Sequence, residues 1–391
     1  MVDSKKEKVK EKATKNNLTK EDLFEGVQIP KDATQPIRKD VEKVVIKAKL
    51  SNEEIEALEG KYLTEKDADK IYNEDVDVYV ELADGKEELL AKFRKNVIPK
   101  DIIETGWESF YETAATSRNR GAAAGPIAQK GIYWKKRKPV EIKGWSTRYM
   151  QNGKLSKMRV NNLVFSSVLG YFEETPFMKL PCRLTSYTQR YFDNFQKGIP
   201  FIKFLDKCFK TLTPNAYKKQ LDRANKQPSF RIDDTAFSSV TINRNFRTAL
   251  HVDAGDFKEG FGNLSAIERG HYSGGYTIFP RYKIGFNVRT GDYLAMNVHE
   301  FHGNTEMTES ESDKKYNKSL PKIHFEDAST GTLGGEKKFT RISFVCYLRE
   351  GIIDCKANEA KTYYKRIGFN TKKGDLKKYN RTLKKKKKDD N

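Results

Sequence analysis

His251 and Asp253 stand two positions apart in RTALHVDAGD, residues 247–256. On a β-strand, residues i and i+2 point to the same face. A strand here therefore presents an imidazole and a carboxylate side by side. That is two thirds of the two-histidine, one-carboxylate set that holds Fe(II) and leaves coordination positions open. The third ligand should be a histidine, and the chain has five in all. Of the other four, His271, His299, His302 and His324, the expected ligand is His302. It lies in VHEFHGN, directly after the strand-like GDYLAMNV. His299 is the fallback. An isolated H-x-D pair is more often a hydrogen-bonded surface pair, so the metal reading needs further support.

A 2-oxo acid such as 2-oxoglutarate can occupy two of the open positions through its keto oxygen and adjacent carboxylate, leaving one for O2. Its far carboxylate then needs a cation, ideally the planar fork of arginine. RISFVCYLRE offers Arg341, with Ser343 on the same face if the stretch is a strand. Arg349 is the poorer alternative because it falls near the strand's end. Asn243 and Asn245, in TINRNF, precede the metal pair. Asn243 is expected to face the co-substrate and Asn245 the substrate; the alternative for either is a strand-edge amide bonded to backbone.

The elements that must carry these residues are legible in outline. Ser51 with Glu54 fits a capping box, followed by Ile55, Leu58 and Tyr62 at helical spacing. DVDVYVEL alternates like a half-buried strand, and Leu89, Leu90 and Phe93 suggest a second helix. Thr213 before Pro214 reads as an N-cap with proline at the first helical position. After about residue 230 the chain becomes short strand-like runs divided by Gly, Asp and Asn turns. Helices first and strands later predict an α+β fold with a sandwich or jelly-roll core.

The expected organisation is a basic flexible arm over 1–25, a helical part over 26–114 packed on the core, a catalytic domain over 115–370 and a Lys-rich tail over 371–391. Both ends are expected to be disordered.

Bulk composition narrows the partners. The formal net charge is +20 over 391 residues, which favours a polyanion, nucleic acid first. Arg118 and Arg120, beside the flexible GAAAGP, and KKRK at 135–138 are the candidate phosphate contacts. No apolar run is long enough to span a membrane. The charged N-terminus lacks the apolar segment of a secretory signal, which predicts an intracellular protein. The cysteines Cys182, Cys208, Cys346 and Cys355 form no C-x-x-C pair, and reduced, buried thiols are expected.

With those residues in order, the chain resembles the TET/JBP family of Fe(II)/2-oxoglutarate dioxygenases. The resemblance lies in TAFSSVTINRNFRTALHVDAGD, GGYTIFPRY, RTGDYLAMNVHEFHGNT and RISFVCYLRE, and extends to LTPNAYKKQL and SRNRGAAAGP, roughly residues 115–350. The last two resemble its viral, JBP-like branch.

The resemblance implies a double-stranded β-helix core wrapped by helices and oxidation of the 5-methyl group of a pyrimidine in DNA. It implies His251, Asp253 and His302 as iron ligands, Arg341 with Ser343 as the 2-oxoglutarate clamp, and Asp256 as a contact to a flipped base. An ionised Asp256 would accept from the exocyclic amine of cytosine, which leans the expectation toward 5-methylcytosine over thymine. A monomer working in an infected cell's cytoplasm or a nucleus is expected. A protein or RNA hydroxylase, or a DNA-binding module with a dead metal site, are the competing classes; the complete ligand set argues against the latter.

Two features depart from the family pattern. Arg341 lies 39 residues after His302, with a polar insert over about 306–339 expected to loop over the site or the DNA. The cysteine-rich zinc module of animal TET enzymes is missing.

Overall fold

The computed structural model describes residues 18–31, 37–130, 132–135, 137–175, 178–327, 332–335 and 338–371. Most of the basic arm and all but the first residue of the Lys-rich tail lie outside the described residues.

The core is two facing sheets. The larger contains, in spatial order, Tyr293–Met296, Gly262–Arg269, Thr340–Tyr347 and Ser239–Arg244, every neighbouring pair antiparallel. The smaller contains Gly303–Asn304, Thr277–Phe279 and Ile284–Phe286, and is continued by a backbone bridge between His251 and His302. Taken in chain order, the eight segments run large, small, large, small, small, large, small, large. That alternation is a double-stranded β-helix, and with its covering helices the fold is α+β.

The large sheet is extended on one side by Glu87–Arg94, Val76–Glu81 and Lys43–Ile46, and on the other by Val164–Phe172. Lys70–Tyr72 extends the small sheet.

Strand alternation sorts the side chains. On Thr340–Tyr347, Ile342, Phe344 and Cys346 belong to the main apolar core, while Arg341, Ser343 and Val345 line the hollow between the sheets. The outward face meets helices Lys100–Phe110 and Phe192–Leu212: the Phe344 ring lies 4.9 Å from Phe201 and 5.4 Å from Phe110. Burying one such phenylalanine contributes roughly 1.5–3 kcal/mol, so this layer holds the sheet from behind while its other face stays polar.

Several expectations change. Leu89, Leu90 and Phe93 lie on the strand Glu87–Arg94, not on a helix. Their spacing fits both periods, and pairing to Val76–Glu81 and Tyr293–Met296 decides. The Asp84-Gly85 turn, with φ of 78° at Gly85, closes that hairpin. The 26–114 segment is thus largely sheet edge as well as helix.

Cys182 and Cys355 are joined in a disulfide, whereas Cys208 and Cys346 are free and buried. A separation of 173 residues leaves no local signal for that pairing.

The described residues of the insert are largely folded instead of forming one polar loop. Glu311–Ser319 is a helix with a Ser310/Asp313 capping box, and His324–Asp327 pairs with Thr113–Ala114. Ile323, Phe325 and Phe339 are buried, which is why this stretch packs instead of remaining solvated.

Finally, the capping box at Ser51 forms, but its helix stops at Glu56. Pro214 does open the helix Pro214–Asn225, yet the Thr213 hydroxyl donates back to the Phe209 carbonyl instead of capping.

Candidate metal and co-substrate site

His251 and His302 exchange both backbone hydrogen bonds, at 2.9 and 3.0 Å, across the small sheet. The bridge brings their rings to 4.5 Å. Asp253, whose N–H donates to the Val298 carbonyl, sets its carboxylate 3.6 Å from His251 Nε2 and 3.8 Å from His302 Nε2. One donor atom from each residue fits within a 4.8 Å span, the only such grouping of metal-ligating side chains among the described residues.

Each imidazole is oriented from behind. His251 Nδ1 lies 2.8 Å from the Ala249 carbonyl and His302 Nδ1 2.9 Å from that of Glu300. A carbonyl only accepts, so Nδ1 carries the hydrogen and Nε2 turns its lone pair to the centre. Burial, and then His302, push the His251 pKa down to about 4, keeping the ring neutral as a ligand must be. Burial alone would raise Asp253; the two imidazoles and Arg120 outweigh it and hold the carboxyl below its usual range.

Gly303 makes this approach possible. A Cβ there would lie 3.1 Å from the Ala249 carbonyl group and 3.2 Å from the Leu250 nitrogen, backbone that has nowhere to go.

Beside the triad, the hollow between the sheets is lined by Arg341, Ser343, Asn243 and Thr241 from the large sheet. Arg341 is 4% exposed, and its Nε and Nη2 have no hydrogen-bond partner. The nearest carboxylate, Glu268, is 4.0 Å away and already accepts from Tyr272, Arg289 and Thr290. Asn243 Oδ1 is likewise buried without a partner. Leaving such groups unpaired is costly. An unpaired guanidinium next to a nitrogen–nitrogen–oxygen donor set fits a metal ion with a dicarboxylate co-substrate.

A second cavity of about 330 Å³ opens beside His251 and Asp253. His251, Asp253, Arg120, Ala123 and Thr241 are walls of both. Its remaining walls include Trp145, Asp256, Tyr347 and Glu59. Asp256 Oδ2 is buried without a partner. Burial and then the neighbouring Asp253 hold its carboxyl well above the usual range, against Arg349 and Arg120.

The other sequence candidates separate cleanly. Asn245 does not reach either cavity. Its amide nitrogen donates to the Phe339 carbonyl and its oxygen accepts from the Arg341 N–H at 2.6 Å, so it braces the strand that carries Arg341. Its φ of 45° is a conformation asparagine tolerates and β-branched residues do not. Arg118 is not a free phosphate contact: its guanidinium stacks 3.4 Å over Tyr133 and donates to the Asn161 carbonyl. Arg120 turns inward to the cavities.

His299 bonds the Phe257 carbonyl, His271 stacks on Tyr316, and His324 lies in the insert's strand. Arg349 is paired with Glu173. Trp145 and Glu59 were not expected here; they come from distant segments and carry no local signal.

Residues 167–350 match the family model described as Tet_JBP, oxygenase domain of the 2OGFeDO superfamily. The chain carries an oxygenase domain of the TET/JBP family. It is 33% identical over 189 residues to the bifunctional helicase and thymine dioxygenase JBP2 of Leishmania infantum, covering 48% of this chain and 15% of that protein. It is 36% identical over 155 residues to thymine dioxygenase JBP1 of Trypanosoma brucei brucei, covering 39% and 18%. The match to JBP2 of Leishmania tarentolae is longer, 27% over 341 residues, covering 85% and 25%. This chain therefore spans a quarter or less of these relatives' length. Among solved structures, NgTET1 in complex with 5mC DNA matches with a TM-score of 0.42 and 13% identity, over 76% of this chain and 88% of that one.

Proposed function

We propose that this TET/JBP domain hydroxylates the 5-methyl group of a pyrimidine in DNA, with Fe(II) and 2-oxoglutarate as cofactors and O2 as co-substrate. The observation that carries the reading is the convergence of His251, Asp253 and His302 beside a buried Arg341 with two unpaired N–H groups. His251, Asp253 and His302 would hold the metal; Arg341 and Ser343 would bind the far carboxylate, and Asn243 the inner one. The metal and 2-oxo acid together supply oxygen activation, chemistry no side chain here can perform on an unactivated methyl group.

The protein's part is position. The methyl group must enter the 330 Å³ cavity, which His251 and Asp253 of the triad line. A base in a duplex cannot reach it, so it is flipped out or presented on a single strand. Trp145 and Tyr347 supply aromatic faces and Asp256 an edge contact. We assign thymine as the base, because the relatives named above are thymine dioxygenases. 5-Methylcytosine is the second reading. Asp256 serves either base, accepting from the cytosine amine as a carboxylate or donating to the thymine O4 as an acid.

Mass spectrometry of nucleosides after incubating the protein, Fe(II) and 2-oxoglutarate with unmethylated and methylated DNA tests both readings. 5-Hydroxymethyluracil from either substrate is the expected product. 5-Hydroxymethylcytosine from the methylated DNA alone reverses the base assignment. His302→Ala should abolish turnover and metal binding; a variant that keeps both transfers the ligand role to His299.

A further inference from the structure

The strands Arg137–Lys143, Ser146–Gln151 and Lys154–Leu155 form an antiparallel ribbon that pairs with neither sheet of the core. Its packing is its own. Tyr133, Trp134 and Tyr149 meet edge to face, and Arg118 and Arg137 stack on the Tyr133 ring. None of these aromatics belongs to the main hydrophobic clusters.

The ribbon is anchored at one end. Lys143 pairs with Ser146, so Gly144 and Trp145 make a two-residue turn with φ of 50° at Gly144. That tip reaches the proposed base cavity, where Trp145 is a wall. Asn161 ties it down, donating to the Trp145 carbonyl and accepting from the Gly121 N–H of the opposite wall.

Charge is concentrated here. Residues 132–160 hold nine Lys and Arg against one acid, Glu141. Arg148 and Arg159 share Glu141, and Arg137 is taken by the stack. Lys138, Lys143, Lys154 and Lys157 are exposed and form no ion pair with any described residue. Elsewhere on the surface, Lys47, Lys49, Lys86 and Lys218 each have a carboxylate partner. A cluster of unpaired ammonium groups on an element whose tip borders the base cavity has the chemistry of a polyanion site.

We propose that this ribbon is a DNA-docking arm: its four free lysines take backbone phosphates flanking the target base, while its tip stays at the cavity mouth. The inference rests on the DNA-oxidising reading, but it is tested by binding and not by product.

Duplex affinity is measured over a range of salt for the full chain and for a variant carrying Lys→Gln at 138, 143, 154 and 157. Each lost phosphate contact reduces the slope of log affinity against log salt by about 0.9. The expected result is a slope shallower by roughly 3 to 4, with affinity falling at least about tenfold near 0.1 M salt. A control variant with Lys→Gln at 47, 49, 86 and 218 should keep the wild-type slope. Equal losses in both variants, or a ribbon variant whose slope moves by less than about one contact's worth, overturn the arm. Because the four lysines are exposed, unchanged thermal midpoints establish that the fold is intact. A wild-type protein that binds DNA through the ribbon but oxidises no base sinks the proposed function alone.

Discussion

Arg341 gives the sharpest test of the co-substrate site. Its Nε and Nη2 are buried and unpartnered, and its backbone is fixed by pairing with Ser239–Arg244 and Gly262–Arg269 and by Asn245. If both N–H groups meet the far carboxylate of 2-oxoglutarate, each charge-assisted bond is worth about 1.5–3 kcal/mol. Arg341→Lys keeps the charge and loses the fork, so roughly one bond goes, a weakening of about 10- to 150-fold. Arg341→Ala loses both, at least about 100-fold. Glu268 keeps Tyr272, Arg289 and Thr290 as donors in either variant, so the fold should survive. The assay is calorimetric titration of 2-oxoglutarate into protein loaded with Mn(II), which binds without turning over. Affinities within about threefold of wild type for both variants would refute the assignment and shift the carboxylate to Arg120, the other arginine that lines that hollow.

Three further perturbations separate the parts of the site. Gly303→Ala pushes a methyl group against the backbone of Ala249 and Leu250, and His251 follows directly; metal titration should show at least a tenfold loss, with overpacking costing about 1–3 kcal/mol of stability. Trp145→Ala removes an aromatic wall of the base cavity, so KM for DNA should rise by about tenfold or more while the 2-oxoglutarate affinity is unchanged, since stacking is worth about 1–3 kcal/mol per base. Asp292 lies away from the site. Burial raises its pKa to about 6 despite Lys95, so the folded state binds its proton more tightly than the unfolded state, and its stabilising effect is full below about pH 4 and lost as pH rises through about 6. Comparing unfolding of Asp292→Asn with wild type across that window should move the difference toward the variant by roughly 3 kcal/mol, and a flat difference would contradict the shift.

The triad was legible because its chemistry is written in residue types: only five histidines, one of them opening an H-x-D pair. Arg341 and Ser343 were legible through strand period alone. What the sequence hid was set by distance in the chain. Trp145 and Glu59 reach the same cavity from about one hundred and about two hundred residues before His251 without any shared pattern, and the Cys182–Cys355 link is similarly remote. Asn245 illustrates a different limit. Its residue type and position fit ligand binding and backbone bracing equally well, and only the occupied amide decides. Leu89, Leu90 and Phe93 failed for a related reason, since a short apolar run fits helix and strand until a partner strand is known.

The interval of 39 residues between His302 and Arg341 does not weaken the proposed clamp, and the reason is energetic. Closing a flexible connection costs about (3/2)RT ln n, so lengthening it from about ten residues to about forty adds only on the order of 1.2 kcal/mol. Described parts of the connection are also packed. Ile323 joins the main core, Phe325 stacks edge to face on Phe165, and Asn317 bonds the backbone of His271. Burying two such side chains offsets that cost. Both ends are fixed independently, His302 by its bridge to His251 and Arg341 by strands on both sides. The spacing of site residues along a double-stranded β-helix is therefore a weak constraint, whereas their register across its sheets is a strong one: a slip of one residue in Thr340–Tyr347 would turn Arg341 and Ser343 out of the hollow and drive Phe344 into it.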